Sequence, residues 1–292
     1  MAITAALVKE LRERTGAGMM ECKKILTETD GDIEVAIEEL RKRGAAAADK
    51  KSDRVAAEGT VVALVSGDAG VLLEVNCETD FVGKDENFVA FANNVAQTII
   101  DNSDVADVDA LSAASLSGGE GSVEEARSAL VQKIGENVQI RRFERINAAA
   151  SETVSSYQHG KAIGVIVKTT GDDELGRDLA MHIAASKPLC ISESQIPEEQ
   201  IEKEKEIFSA QAAESGKPAE IIEKMVVGRL RKFVNEVTLL GQSFVKDPDM
   251  TVEKLLKSKN AEISNFTRYE VGDGIEKKED DFVAEVMAQA KG

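Results

Sequence analysis

Apolar residues recur at helical spacing in three stripes near the start of the chain. Gly16, Gly18 and Gly31 separate the stripes, and the third ends before Gly44, as helices commonly do at glycine. The pattern predicts three short helices packed as a bundle, with Thr4 as the first N-cap, followed by a helical linker over 45–57. The stripes are formed by Ile3, Leu7 and Leu11, by Cys22, Ile25 and Leu26, and by Ile33, Ala36, Ile37 and Leu40.

From Gly59 the apolar period changes from helical spacing to alternation, which is typical of strands. Residues 60–64 alternate, 66–70 contain turn residues, and 71–73 and 75 are again apolar, so we predict a β-hairpin. The elements expected next are a helix around 88–95, a surface loop or fraying helix over 101–122, a helix over 124–134 and a strand over 138–143.

The same order of elements then returns. A strand over 162–167 is followed by a helix carrying Leu179, His182 and Ile183, and 265–271 offers a further strand. We interpret His182 as a core histidine, and on local grounds His159 as a turn residue ahead of the strand. The repetition indicates a duplicated α+β subdomain.

An insertion interrupts the second subdomain. Residues 198–214 and 221–237 carry helical apolar stripes, and the turn residues of 215–218 separate them. Two long helices joined by a tight turn predict an antiparallel helical hairpin. A short C-terminal helix is expected over 279–289, with Phe282, Val283 and Val286 on its apolar face.

Composition narrows the classes of partner. The chain has 292 residues, a length that predicts two or three compact units. Its net charge of −17 predicts a surface that repels nucleic acid. The basic clusters, around Arg141 and around Arg229, are small. Three widely spaced cysteines, no signal peptide and no membrane-spanning apolar run predict free thiols in a cytosolic protein. Two histidines without Cys-x-x-Cys make a zinc site improbable.

No catalytic constellation emerges from the sequence. Neither a phosphate-binding Gly-x-x-x-x-Gly-Lys loop nor a Gly-x-Ser-x-Gly elbow is present, and no nucleophile-base pair has support. We therefore predict that the chain is not an enzyme and needs no cofactor or metal.

Two segments carry unexpected apolar residues. In 74–84, EVNCETDFVGK, Phe81 follows a polar run at a strand-to-helix corner; local chemistry favours burial in the chain's own core over exposure as a probe. In 11–26, LRERTGAGMMECKKIL, Met19 and Met20 are consecutive at the start of a helix, so at least one should be exposed.

These two segments, in this order and at this separation, resemble the paired signatures of the translation elongation factor Ts family, and the resemblance extends over nearly the whole chain. It implies an N-terminal domain resembling a ubiquitin-associated domain. The domains expected are this helical domain over 1–54, a core subdomain over 55–145, a second core subdomain over 146–190 and 240–274, the hairpin over 191–239 and a C-terminal module over 275–292.

The family resemblance also implies a function, guanine-nucleotide exchange on the GTPase elongation factor Tu, and it implies site residues. Asp80 and Phe81 would be inserted near the GTPase's magnesium site and Phe81 would wedge between its helices, which reverses the local preference for burial. His159 would contact the partner from the second subdomain. The remaining partner-binding residues would be Thr79 and Val82 beside the probe, and Arg12, Met19 and Met20 against the nucleotide domain.

Two other functions stay open on the sequence. One is an RNA-associated scaffold that uses the small arginine clusters, although the net charge opposes it. The other is a structural protein that dimerises through the hairpin. With the family function, the hairpin offers a surface for a homodimer or a 2:2 assembly, and neither a membrane nor direct nucleic-acid contact is expected.

Overall fold

The computed structural model describes residues 3–276, and the predicted α+β class is confirmed. The helix expected over 279–289 lies outside the described residues. The helices are α1 Ala5–Thr15, α2 Met19–Glu28, α3 Ile33–Asp49, α4 Glu86–Asp101, α5 Val108–Ala113, α6 Val123–Ile134, α7 Asp173–Ser186, α8 Glu198–Ala213, α9 Ala219–Val237 and α10 Val252–Ser258. The strands are β1 Glu58–Ser66, β2 Ala69–Cys77, β3 Val138–Asn147, β4 Thr153–His159, β5 Ile163–Thr169, β6 Ser243–Phe244, β7 Asp247–Thr251 and β8 Ile263–Glu270.

The N-terminal bundle forms as the apolar stripes predict. The Thr4 side chain accepts a hydrogen bond from the Leu7 amide at 3.3 Å, and Gly16 ends α1 at a φ of 70°. Leu11, Ile25 and Leu26 are fully buried at its centre together with other stripe residues. The bundle is therefore held by its own small core.

Gly44 does not end the third helix, so this prediction from the glycine was wrong. α3 continues to Asp49, and the chain then turns before β1. A Cβ atom at Gly44 would lie 3.1 Å from the Gln132 side chain and 3.5 Å from the Ser128 backbone of α6. The glycine therefore allows α3 to approach α6 closely. The linker expected to be helical over 45–57 is helical only in its first residues, up to Asp49.

Three small sheets are present among the described residues. Their strand orders are β1-β2-β3, β4-β5-β8 and β6-β7. β4 pairs with β5 in antiparallel register, from Thr153 opposite Thr169 to His159 opposite Ile163. His159 is therefore the last residue of a strand and not a turn residue. The strand was not predicted because the serine-rich sequence of β4 hides the alternation of apolar and polar residues. The short elements β6, β7 and α10 were not predicted either.

The chain divides into two compact units. Within the described residues, one contains 3–61, 73–143 and 270–276, and the other contains 62–72 and 144–269. The second has its own core, which includes Val165, Leu179 and Leu239. The predicted helical hairpin is formed by α8 and α9, with Phe208 and Phe233 in edge-to-face contact at 6.5 Å between ring centroids.

A buried carboxylate connects the strands of the first unit. Glu74 on β2 is fully buried and accepts hydrogen bonds from Arg141 at 3.0 Å and Arg142 at 2.7 Å, both on β3. It also accepts from the Gly272 amide at 2.8 Å, and Asn76 donates to it and to the Glu58 carbonyl of β1, each at 3.2 Å. Glu74 thus joins β2 to β3 and to the segment at Gly272, and Asn76 extends the connection to β1.

Glu74→Gln tests this connection. We expect the variant to lose about 3 kcal/mol of unfolding free energy, because removing one partner of a buried ion pair leaves the other charges without compensation. Urea unfolding of the variant beside the exposed control Glu120→Gln measures the loss. A loss in Glu74→Gln no larger than in Glu120→Gln would contradict the role of Glu74.

His182 is buried in the second unit, as predicted. The Val245 amide donates to its Nδ1 at 3.2 Å, so the ring carries its proton on Nε2, which donates to the Gln242 Oε1 at 3.0 Å. The Phe244 ring lies 5.9 Å away between centroids. Burial lowers the pKa of His182 below its ordinary value, although the bond with Gln242 opposes this shift.

The lowered pKa predicts lower stability in mild acid. As pH falls through about 6.5, the unfolded chain takes up a proton at this histidine before the folded chain does, so the free energy of unfolding decreases, by at most about 1.4 kcal/mol per pH unit. Urea unfolding between about pH 5.5 and pH 7.5 measures this slope. His182→Gln should flatten it and His159→Gln should not; an unchanged slope in His182→Gln would contradict the assignment.

Candidate functional site

The corner that follows β2 exposes the residues singled out by sequence. Phe81 is 80% exposed, Thr79 is exposed, and Asp80 and Val82 are partly exposed. Local chemistry favoured burial of Phe81, and the structure shows the opposite. Phe88 in α4 is fully buried instead.

Backbone hydrogen bonds close the corner into a tight turn. The amides of Gly83, Lys84 and Asp85 donate to the carbonyls of residues 79, 81 and 82 at 2.9–3.2 Å. The Cys77 thiol donates to the Thr79 carbonyl at 3.2 Å. Phe81 therefore projects from a closed turn that has its own internal support.

Asp85 ends the corner by capping α4. Its carboxylate accepts from the amides of Asn87 at 2.9 Å and Phe88 at 3.3 Å. The pKa of Asp85 lies below its ordinary value, first because the Asn87 side-chain amide donates to the carboxylate. The ionised cap stabilises the helix start immediately after the exposed ring.

Lys84 belongs to the same surface and was missed in the sequence analysis. Its Nζ lies 2.6 Å from the Asp80 carboxylate and 6.0 Å from the Phe81 ring centroid. The signal was available, because residues four apart in a turn of helix face each other. The corner thus presents an aromatic ring next to an ion pair, and all three side chains face solvent at least in part.

A second exposed surface lies where α1 meets α2. Met20 is 77% exposed and Met19 is 58% exposed, so both methionines face solvent, where the sequence required only one. Arg12 is also exposed and lies in the last turn of α1, whose C-cap amide at Gly16 donates to the Arg12 carbonyl at 2.8 Å. An exposed methionine pair is an adaptable apolar contact surface.

His159 belongs to the second unit, whereas the other predicted site residues belong to the first. It is exposed at the end of β4, and its Nδ1 lies 3.3 Å from the Tyr157 hydroxyl. The two rings are 6.4 Å apart between centroids. The structure supplies no chemistry for His159 beyond this polar and aromatic pair.

Two kinds of site are absent from residues 3–276. No group of three or more histidine, cysteine, aspartate and glutamate side chains there could hold a metal ion. No helix in the same range is both long and apolar enough to span a membrane. The cysteines in this range are free, as predicted, and Cys22 and Cys77 are buried.

Comparison with known proteins identifies the family. The family model described as "Elongation factor TS" matches residues 78–273. The curated "Elongation factor Ts" of Thioalkalivibrio sulfidiphilus is 62% identical over 295 residues, covering 100% of both chains. The proteins of the same name from Alkalilimnicola ehrlichii and Legionella pneumophila (strain Paris) are each 58% identical, over 100% and 99% of both chains respectively. The chain therefore belongs to the elongation factor Ts family and is a translation elongation factor.

Proposed function

We propose that the chain is a guanine-nucleotide exchange factor for elongation factor Tu. In this role it promotes GDP release by disturbing the magnesium and phosphate site of the GTPase during polypeptide elongation. The observation that carries the proposal is the 80% exposure of Phe81 on a corner closed by its own hydrogen bonds. A large apolar ring in solvent is unfavourable for the chain alone and suits insertion into a partner.

The exchange acts by linkage and needs no catalytic group of its own. An exchange factor binds the nucleotide-free GTPase more tightly than the nucleotide-bound form. It therefore lowers the affinity of the GTPase for nucleotide, and nucleotide lowers the affinity of the GTPase for the exchange factor by the same ratio. Phe81 would wedge between helices of the GTPase, and the Asp80 carboxylate would enter the magnesium environment. Thr79 and Val82 flank them and shape the inserted corner.

One ring is insufficient for a large effect. Full burial of a phenylalanine is worth about 1.5–3 kcal/mol, which corresponds to an affinity change of about ten- to a hundredfold. Other surfaces must therefore add to the binding energy. Met19, Met20 and Arg12 would bind the nucleotide domain of the GTPase, and His159 a more distant domain. The proposed interaction involves neither a membrane nor nucleic acid and takes place in the cytoplasm.

Phe81→Ala and Met20→Ala should separate exchange from binding. We expect Phe81→Ala to lower the maximal release rate of labelled GDP from elongation factor Tu by about tenfold or more, because the wedge is lost. Asp80→Ala should act in the same direction. Met20→Ala should mainly raise the concentration of the chain at half-maximal release, because it removes a contact that is made before and after release.

Val89→Ala is the matched control, since Val89 is an exposed valine on α4 and is assigned no contact. It should exchange at the wild-type rate. If Phe81→Ala and Asp80→Ala also exchange at the wild-type rate while remaining folded, the wedge model is wrong.

We also propose that α8 and α9 form the surface for a homodimer or a 2:2 assembly. Apolar side chains on this hairpin are exposed: Ile207 by 40%, Ile221 by 46% and Val227 by 62%. Burying such residues against a second copy would remove apolar area from water.

The double variant Ile221→Glu and Val227→Glu tests self-association. Sedimentation velocity should show a dimer for the wild-type chain and a monomer for the variant, because two buried carboxylates per copy would lack partners. Val89→Glu should sediment as the wild type does. A monomeric wild-type chain would refute the homodimer, and the mixture with elongation factor Tu then tests the 2:2 assembly.

A further inference from the structure

We propose that Glu136 is a positioning residue that holds the Thr79–Phe81 corner in the orientation needed for exchange. The proposal rests on the function proposed above. Glu136 lies between α6 and β3, far along the chain from the corner, and no property of its local sequence assigns it a role.

The Glu136 carboxylate binds the corner through both oxygens. Its Oε2 accepts from the Glu78 amide at 3.1 Å and the Thr79 amide at 3.0 Å. Its Oε1 accepts from the Thr79 hydroxyl at 2.7 Å. Hydrogen bonds to a charged acceptor are stronger than those between neutral groups, so one side chain fixes two successive peptide units.

The interaction is reciprocal. The Asn137 amide donates to the Glu78 Oε1 at 2.6 Å, so each of the two glutamates accepts from the backbone next to the other. The Asn137 side chain donates to the carbonyls of Ser52 at 3.2 Å and Arg54 at 2.8 Å. Glu136 is thus attached to a segment that is itself fixed, and it can transmit that position to the corner.

The Thr79 hydroxyl extends the clamp, formed by the hydrogen bonds from residues 78 and 79 to Glu136, toward the exposed ring. Thr79 Oγ1 accepts from the Val82 amide at 3.4 Å while it donates to Glu136. The two peptide units held by Glu136 immediately precede Asp80 and Phe81. Fixing them limits the directions in which the ring can project, and this reduces the ordering required when the ring enters a partner.

The clamp is not needed for the core of the subdomain. Glu136 is partly exposed, and Thr79 is exposed. β2 pairs within its sheet and α4 is capped by Asp85 without any contribution from Glu136. Removing the carboxylate should therefore loosen the corner and leave the fold in place, which distinguishes positioning from a general structural role.

GDP release from elongation factor Tu tests the clamp in the full-length chain. Glu136→Ala should lower the maximal release rate by about tenfold and change the half-saturating concentration by less than about twofold, because the other contact surfaces are intact. Glu136→Gln should retain most of the rate, since its oxygen can accept from the two amides and its NH2 group can donate to Thr79 Oγ1. Glu120→Ala removes the same charge from an exposed position and should behave as wild type.

Amide hydrogen exchange in the free chain provides a readout that does not depend on activity. Glu136→Ala should speed exchange at Glu78 and Thr79 by about tenfold or more and leave Val89, which donates to Asp85 inside α4, unchanged. A Thr79→Val and Glu136→Ala cycle should be non-additive in release rate, since the two side chains share a hydrogen bond.

The outcomes separate the two proposals. If the wild-type chain does not accelerate GDP release, the proposed function fails, and amide exchange still decides whether Glu136 clamps the corner. If the wild type is active and Glu136→Ala releases GDP equally fast, the positioning role is refuted. It is also refuted if Glu136→Ala loses activity only in proportion to a loss of thermal stability, or if the amides of residues 78 and 79 exchange equally fast in both chains.

Discussion

The first unit depends on one buried charge. Glu74 lies inside the sheet, where an isolated carboxylate would be strongly destabilising, and it is tolerated because two arginines and a backbone amide surround it. The same set of bonds specifies how β2, β3 and the segment at Gly272 are placed. β2 then leads directly into the exposed corner, so the position of Phe81 derives from the strand that this carboxylate fixes.

Much of the fold is predictable because it follows from periodic burial. The bundle, the first hairpin, α4, α6 and the α8–α9 hairpin all have apolar stripes that match their structure. The errors arise where a residue has more than one physical use. Gly44 ends no helix because its missing side chain serves close packing. β4 is hidden because it contains serines such as Ser155, which is buried and donates a hydrogen bond to Asp173 of α7 at 2.9 Å.

The candidate site shows the same boundary between local and long-range information. The exposure of the methionine pair could be argued from two consecutive side chains, but that of Phe81 could not, because local chemistry favoured burial. Lys84 was accessible through its spacing from Asp80. Glu136 was not, since 57 positions separate it from Thr79 and only the folded chain brings the two together. Side chains that orient a site are commonly distant in sequence, and this limits prediction from one chain.

The glycine at position 44 has a mechanical consequence. Because α3 runs past it against α6, and because Arg41 pairs with Glu125 at 3.3 Å, the bundle is braced on the subdomain that carries Phe81. A bundle on a flexible tether would search for its contact independently. Packing of the bundle against the subdomain instead fixes the distance between the methionine pair and the exposed ring. Under the proposed function, only a partner whose two contact points match that spacing would bind both at once.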